Sequence, residues 1–282
     1  MFLLEKIRYH EKKNAIAWKD RIFTYADLLF LIEDAISFLK KNNVTNGSIV
    51  SLEADFSPRA IAMLLALIEK KAIIVPLSSS ISDKADEFRK VSEVELRLVF
   101  DDNDNMSYSK TDNAVTHHLL KELRQKSHSG LILFSSGSTG QSKAIVHDLD
   151  LFLEKYQGDL KQKSTIAFLL FDHVGGIDTI FYTIASGGFL ITLANRQPSS
   201  VCLAIERYSA EVLPVSPSFL NLLLISEEYK NYDLSSLQFI TYGAELMNDF
   251  VLQKIHQIFP NLKIKQKYGL SETGVFKSQS ES

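Results

Sequence analysis

The stretch Leu131-Ile-Leu-Phe-Ser-Ser-Gly-Ser-Thr-Gly-Gln-Ser-Lys-Ala-Ile-Val-His147 carries the strongest signal in this sequence of 282 residues. Its apolar beginning predicts a buried strand that leads into a loop of small and hydroxylated residues. Glycines let such a loop turn tightly and approach a ligand closely, and its free N–H groups can bind an anion. Hydroxyl groups donate to phosphate oxygens, and lysine adds a positive charge. The loop therefore predicts a polyphosphate ligand, held by Ser135, Ser136, Gly137, Ser138, Thr139, Gly140 and Lys143.

The spacing within this loop excludes the phosphate loop of kinases and ATPases. That loop requires a glycine, four further residues and then Gly-Lys-Ser/Thr, whereas here Gly140 follows Gly137 by three positions and Lys143 follows by three more. The string instead resembles the signature loop of the adenylate-forming superfamily, which includes acyl-CoA synthetases, aryl-CoA ligases, luciferases and the adenylation domains of nonribosomal peptide synthetases. Ser142 and Ala144 stand where that family usually has Pro and Gly.

Further motifs extend the resemblance. Thr241-Tyr-Gly-Ala-Glu245 is similar to the family's Gly-Gly/Ala-Glu turn, which packs against the adenine and the acyl pocket. Tyr268-Gly-Leu-Ser-Glu272 is similar to the pattern Tyr-Gly-x-Thr/Ser-Glu. Nearer the N-terminus, Phe23-Thr-Tyr25 and Leu64 to Leu77 are similar to two other family blocks. A glycine after a strand usually marks no more than a turn, so a single motif of this kind is weak evidence. The order of all these motifs along the chain is what favours the adenylate-forming superfamily.

The resemblance implies attack of a substrate carboxylate on the α-phosphorus of ATP, giving acyl-AMP and Mg-pyrophosphate. Tyr268 would stack on adenine, Ser271 would donate to the α-phosphate, and Glu272 would bind Mg²⁺. A carboxylate is already ionised at neutral pH, so no general base is expected. The resemblance assigns catalytic roles to Thr139, Lys143 and Glu272, and further nucleotide contacts to Gly243, Ala244, Glu245 and Gly269.

The stretch Phe171-Asp-His-Val-Gly-Gly-Ile177 bears on the class of acid. Acyl- and aryl-CoA ligases usually have an aromatic residue and His here, often followed by Gly-Gly, beside the carboxylate pocket. Amino-acid-activating domains have Phe-Asp, whose Asp pairs with the substrate's α-amino group. Both patterns are present, and His-Val-Gly-Gly favours an acyl or aryl acid. The predicted substrate contacts are Asp172, His173, Gly175 and Ser216, the last in a segment that resembles the one before the family's pocket-lining helix.

Alternatives to an acid–CoA ligase remain open at this point. One is an amino-acid-activating adenylation domain. Another is a non-catalytic nucleotide- or acyl-binding module of the same fold, which the departures at Ser142 and Ala144 motivate. An unrelated nucleotide-binding enzyme would require the later motifs to be coincidence.

The resemblance covers the large N-terminal portion of such enzymes. The chain ends at Ser282, whereas family members continue for about one further domain of ~150–250 residues. That portion holds the ribose-binding Asp, the hinge and a catalytic lysine. We therefore expect feeble adenylation and no thioester formation from this chain alone. CoA or a carrier protein would be the acceptor in the full-length enzyme.

Composition indicates an ordinary globular chain. It is 45% hydrophobic and 23% charged with a net charge of −3, and the absence of a basic block gives no indication of nucleic acid or an anionic membrane as a partner. The single cysteine, Cys202, fits a reducing compartment. The apolar stretch at the N-terminus is too short for a signal peptide, and no apolar run approaches the ~20 residues needed to span a bilayer. These features predict a cytoplasmic protein.

Alternating strand and helix patterns predict an α/β fold with mostly parallel sheets covered on both faces. We expect two doubly wound αβ lobes, one from residues 1–126 and one from 127–282, and the resemblance implies that together they form the N-terminal domain of an adenylate-forming enzyme. Thr24 and Asp27 predict a capping box, and the helix Ala60 to Ile68 is apolar nearly all round, which predicts burial. Residues 101–130 are expected to form an irregular crossing, with His117 and His118 at the surface.

Overall fold

The computed structural model describes residues 2–136, 142–243 and 245–267, together with the backbone of 269–270 and 274–275. Its helices are α1 Phe2–Tyr9, α2 Tyr25–Lys41, α3 Pro58–Glu69, α4 Ala85–Val91, α5 His118–Lys126, α6 Leu149–Glu154, α7 Val174–Ser186, α8 Pro198–Tyr208, α9 Pro217–Ser226 and α10 Asp249–Ile258. Its strands are β1 Asn14–Trp18, β2 Arg21–Thr24, β3 Ile49–Glu53, β4 Ile73–Leu77, β5 Leu96–Phe100, β6 Met106–Lys110, β7 Gly130–Ser136, β8 Ser142–Asp148, β9 Ser164–Ile166, β10 Phe189–Ile191, β11 Val212–Val215, β12 Phe239–Tyr242, β13 Lys263–Gln266, β14 Gly269–Leu270 and β15 Gly274–Val275.

Two large sheets organise these elements. The first sheet has the order β6-β5-β3-β4-β7-β8, and the second has the order β13-β12-β11-β9-β10-β1-β2. Pairing is parallel except at β6, β8 and β2, which are antiparallel to their neighbours. Each of these three strands is joined to its partner by a short connection, which only antiparallel strands allow.

Both sheets are covered by helices on both faces, as the alternation pattern predicted. Successive strand residues point to opposite faces, so Ile73 packs with α4 and α5 while Ile74 packs with α2 and α3. The second sheet packs against α8, α9 and α10 on one face and against α1 and α7 on the other. Helices α1, α2, α3 and α7 share one hydrophobic cluster between the two sheets. The prediction of two doubly wound αβ units is confirmed.

The predicted division at residue 126 does not coincide with the sheets. The β1–β2 hairpin, near the N-terminus, belongs to the second sheet because β1 pairs in parallel with β10, with Ile16 opposite Leu190. Conversely, β7 and β8 belong to the first sheet, since β7 pairs with β4. Each sheet therefore draws strands from both sides of the predicted boundary.

One local prediction needs correction. Residues 101–130 contain β6 and α5 rather than only an irregular crossing. Strand β6 lies at a sheet edge with no buried side chain, and α5 buries only Leu120 and Leu123, so neither element has a strong hydrophobic pattern. His117 and His118 are exposed, as expected.

The burial predicted for the helix from Ala60 to Ile68 is confirmed. Helix α3 begins at Pro58 after Ser57, whose hydroxyl accepts from Ala60 N, and its residues from Ala60 to Ile68 are all buried. No helix in the described ranges is long and apolar enough to cross a bilayer.

The capping box of α2 gives a first testable prediction. Thr24 Oγ1 accepts from Asp27 N at 3.1 Å, and Asp27 Oδ2 accepts from Thr24 N at 2.8 Å. The latter hydrogen bond is the largest contribution that lowers the pKa of Asp27. Thr24→Ala should destabilise the chain by about 1 kcal/mol because a first-turn N–H group loses its acceptor. Urea unfolding would measure this loss, and Thr24→Ser should retain most of the stability; equal losses in both variants would contradict the capping role.

Candidate functional site

The order of strands identifies the edge at which a ligand would bind. In the second sheet, the chain passes from β9 to β10 on one side and then crosses to β11 on the other. In the first sheet, the chain likewise passes from β3 to β4 on one side and then crosses to β5 on the other. Ligands of open α/β sheets bind outside the carboxyl ends of the strands at such a point. The relevant segments are therefore those that follow β9 and β11 in the second sheet and β3 and β5 in the first, together with the segment after β4, which is the neighbour of β3.

Side chains from these segments connect the two sheets directly. Ser78, which follows β4, donates to Asp172 Oδ2 from its backbone N at 3.1 Å and from its hydroxyl at 2.8 Å. Asp55, which follows β3, forms a 3.3 Å ion pair with Arg196, which follows β10. A cavity of about 290 Å³ lies beside this second contact, and its lining includes Phe56. The carboxyl edges of the two sheets thus adjoin each other.

Asp172 is the predicted substrate residue with the most unusual environment. It is only 6% exposed, and its Oδ2 atom accepts both hydrogen bonds from Ser78. Its Oδ1 atom is buried and has no hydrogen-bond partner in the described part of the chain; His173 Nε2 lies 3.9 Å away. Buried carboxylate oxygens are normally hydrogen-bonded, so Oδ1 is available to a donor.

The glycines that follow have a packing explanation. A Cβ atom at Gly176 would lie 1.9 Å from the carbonyl oxygen of Leu170, and one at Gly175 would lie 2.6 Å from Leu169 Cδ1. Helix α7 therefore begins in direct contact with the segment that leads to it. The His173 side chain is 61% exposed and makes no capping bond to α7. Close packing thus explains Gly176, and in part Gly175, whatever the class of acid.

Ser216 and Glu245 both act at the beginning of α9. Ser216 Oγ accepts from Phe219 N at 3.2 Å and caps the helix. Glu245 Oε2 accepts from Ser218 N at 3.2 Å and from the Ser218 hydroxyl at 2.6 Å. The bonds of Glu245 connect the segment after β12 to the segment after β11. Both residues thus have a structural function that the sequence motifs did not indicate.

Gly243 lies against the end of the neighbouring strand. A Cβ atom at this position would be 2.7 Å from the carbonyl oxygen of Lys267, while Lys267 N donates to Tyr242 O at 2.7 Å. The predicted turn at 243–245 and the residue before Tyr268 are therefore adjacent. Gly243 of the first motif and Lys267, the residue before the second, thus lie side by side at one sheet edge.

The predicted phosphate loop connects β7 and β8. In this hairpin Ser135 pairs with Lys143, and Ser136 pairs with Ser142. Lys143 is exposed and forms no ion pair with a carboxylate of the described residues. The hairpin is supported by Phe134, whose ring stacks on Phe88 with centroids 3.8 Å apart and planes 7° apart. The residues on either side of the loop are thus paired in register across the two strands.

The remaining predicted site residues lie outside the described residues or are described only in their backbone. Of the described residues, no group of three or more His, Cys, Asp or Glu side chains could hold a metal ion; the predicted Mg²⁺ ligand is not among them. Of Ser136 and Gly269 only the backbone is described. The predictions outside the described residues are Gly137, Ser138, Thr139, Gly140, Ala244, Tyr268, Ser271 and Glu272.

One charged cluster beside this edge had no motif to indicate it. Asp178 in α7 is 5% exposed and contacts Lys155 at 2.9 Å, Lys267 at 3.1 Å and the Tyr156 hydroxyl at 2.6 Å. Burial alone would raise the pKa of Asp178, but the two lysines and the hydroxyl outweigh it and lower the pKa. Burial raises the pKa of Tyr156 well above its usual value, so its hydroxyl remains a donor. The sequence feature that could have indicated this cluster is Asp178 itself, a charged residue within a mainly apolar helix.

Comparison with known proteins agrees with the predicted resemblance. The chain belongs to the AMP-binding enzyme family, whose model matches residues 3–280. It is 24% identical over 297 residues to 4-coumarate–CoA ligase 4 of Arabidopsis thaliana, covering 90% of this chain and 52% of that protein. It is 23% identical over 273 residues to one of the plipastatin synthase proteins of Bacillus subtilis (strain 168), covering 89% of this chain and 10% of that protein.

A solved structure shows the same fold. The N-terminal domain of FACL13 from Mycobacterium tuberculosis, crystallised with an inhibitor, matches with a TM-score of 0.78 at 16% identity, covering 96% of this chain and 75% of that one. The predicted fold, that of the N-terminal domain of an adenylate-forming enzyme, is therefore confirmed. The chain spans about half or less of the length of the curated relatives that it matches.

Proposed function

We propose that this chain binds ATP and a carboxylic acid and belongs to an enzyme that joins them as acyl-AMP. The observation that carries the proposal is the β7–β8 hairpin, in which Ser135 pairs with Lys143 on either side of the family's phosphate loop. Lys143 is exposed and has no described carboxylate partner, so its charge is available to a ligand. Membership of the AMP-binding enzyme family supports the same conclusion.

The chemistry requires positioning and charge stabilisation more than proton transfer. The acid's carboxylate forms a bond to the α-phosphorus of ATP, and the bond from that phosphorus to the bridging oxygen of pyrophosphate breaks. Negative charge increases on the departing pyrophosphate, and fixed donors at that point lower the barrier. Lys143 and the hydroxyls of Ser138 and Thr139 would supply these donors at the β- and γ-phosphates.

Mg²⁺ is part of the proposal because ATP phosphates bind it. The ion would neutralise charge on the leaving pyrophosphate. The carboxylate of Glu272 is chemically suited to hold it, since Mg²⁺ prefers oxygen ligands. Tyr268 and Ser271 would bind the adenine and the α-phosphate from the same segment.

The proposed substrate is an acyl or aryl acid. In the full-length enzyme, CoA or a carrier protein would be the acceptor, and the proposed location of the enzyme is the cytoplasm. A second candidate, an acid that carries an amino group, is favoured by one specific observation. The buried Oδ1 atom of Asp172 has no described hydrogen-bond partner, and a substrate ammonium group would provide one. The Gly175-Gly176 pair does not discriminate between the two classes, because packing explains it.

Binding measurements test the proposal and give a second prediction. Non-hydrolysable acyl-adenylate analogues with fatty, aryl and aminoacyl groups should raise the melting temperature by mass action, and the class with the largest shift identifies the acid. Lys143→Ala should weaken ATP binding about 10- to 100-fold, because a hydrogen bond to a charged group contributes ~1.5–3 kcal/mol. The same variant should change analogue binding little, because the analogues lack β- and γ-phosphates.

Lys40→Ala is the matched control. Lys40 is exposed in the last turn of α2, at the amino edge of the first sheet, and its removal should leave both affinities unchanged. No shift with any analogue would contradict the proposed function. An equal loss of ATP affinity in the Lys40 and Lys143 variants would contradict the role of Lys143.

A further inference from the structure

Asp178 connects three segments of the chain, two of which are next to predicted ligand-binding motifs. It lies in α7, a helix that begins directly after Asp172 and His173. Lys155 and Tyr156 lie just after α6, which follows the β7–β8 hairpin. Lys267 is the residue after β13 and before the Tyr268 motif. One buried carboxylate in the helix after Asp172 and His173 therefore contacts both the segment after the β7–β8 hairpin and the residue before the Tyr268 motif.

The strand that leads to Lys267 lies at the edge of its sheet. Strand β13 is four residues long, lies at the end of the second sheet and pairs only with β12 among the described strands. None of its side chains is buried. Ile264 packs against the hydrophobic cluster of the second sheet, whereas Lys263 and Lys265 are exposed, so the strand packs on one face only. The contact of Lys267 with a helix in the core adds an attachment at the carboxyl end of the strand.

The two lysines differ in how they are held. Lys155 Nζ lies 4.2 Å from the centroid of the Phe152 ring and 4.8 Å from that of Tyr156, in addition to its contact with Asp178. The side chain of Lys267 is 43% exposed, and its ammonium group forms a 3.1 Å ion pair with Asp178. The loss of one ion pair should therefore leave the α6 end packed but release the β13 end.

We propose that Asp178 is a positioning residue, which fixes the carboxyl end of β13 through Lys267 and so sets the point from which the chain enters the Tyr268–Glu272 motif. The importance of that motif for nucleotide binding rests on the proposed function. The positioning itself rests on the contacts of Asp178, Lys267 and β12, and can be measured without a ligand.

Hydrogen exchange of the ligand-free chain tests the positioning. The amide of residue 267 donates to Tyr242 O at 2.7 Å and reports directly on the end of β13. Lys267→Met should accelerate its exchange about tenfold or more, since exchange follows local opening, and Lys267→Arg should restore slow exchange because it keeps the charge. Lys155→Met, which removes the other cation from the same carboxylate, should change the rate less than about threefold. Unchanged exchange in Lys267→Met would overturn the proposal.

Ligand binding then tests the consequence for the site. Lys267→Met should weaken binding of the acyl-adenylate analogue about tenfold, and Lys155→Met should leave it within about twofold, even if both variants lose similar thermal stability. A purely structural ion pair would lower stability in both without this difference in affinity, and equal affinities would count against the proposal. If the wild-type chain bound no analogue, the proposed function would fail, while the exchange experiment would still decide the positioning.

Discussion

Gly176→Ala is expected to destabilise the chain by about 3 kcal/mol, the typical upper range for an overpacked interior. The new Cβ atom would lie 1.9 Å from the carbonyl oxygen of Leu170 and 2.8 Å from its carbonyl carbon. These are backbone atoms, so relief requires movement of the segment between β9 and α7 rather than rotation of a side chain. The gain in helix propensity, at most about 1 kcal/mol, is too small to offset this.

Two other glycines make the prediction specific. At Gly175 the obstacle is Leu169 Cδ1 at 2.6 Å, the end of a flexible side chain, so Gly175→Ala should cost about 1 kcal/mol. At Gly158 nothing lies within 4 Å, and Gly158→Ala should be neutral or slightly stabilising. Urea unfolding of the three variants should therefore give a graded series. Similar midpoints for the Gly176 and Gly158 variants would show that α7 does not contact Leu170 as described.

Glu53→Ala is expected to cost about 3 kcal/mol, because it removes the shared partner of two guanidinium groups. Glu53 is the last residue of β3 and accepts from Arg89 at 2.6 Å and from Arg97 twice at 2.8 Å. The side chains of Glu53 and Arg89 are 12% and 13% exposed. Removal of the carboxylate leaves Arg89 largely buried without its inner counter-charge.

Asp86 provides the control for Glu53, because it pairs with the same Arg89 from an exposed position, at 98% side-chain exposure. Exposed ion pairs contribute little to stability, so Asp86→Ala should leave the unfolding midpoint nearly unchanged. Glu53→Gln, which keeps the shape and one acceptor oxygen, should recover part of the loss. A stability loss in Asp86→Ala equal to that in Glu53→Ala would contradict the importance of burial at Glu53.

Features that depend on neighbouring residues could be predicted before the fold was known. The capping box of Thr24 and Asp27, the burial of α3 and the alternation of strands with helices follow from local chemistry and periodicity, and all are present. The family, too, followed from short motifs, because a phosphate loop needs small residues and a lysine within a few positions. These signals do not depend on distant parts of the chain.

Contacts between distant segments could not be predicted in this way. The β1–β2 hairpin joins the second sheet through pairing of Ile16 with Leu190, far away along the chain, and no local pattern encodes such a partner. The same applies to Asp178, whose partners Lys155, Tyr156 and Lys267 come from two separate segments, and to Gly176, whose close contact with Leu170 no motif indicated. Residue types specify what a segment can form, but burial and contact depend on neighbours that only the folded chain brings together.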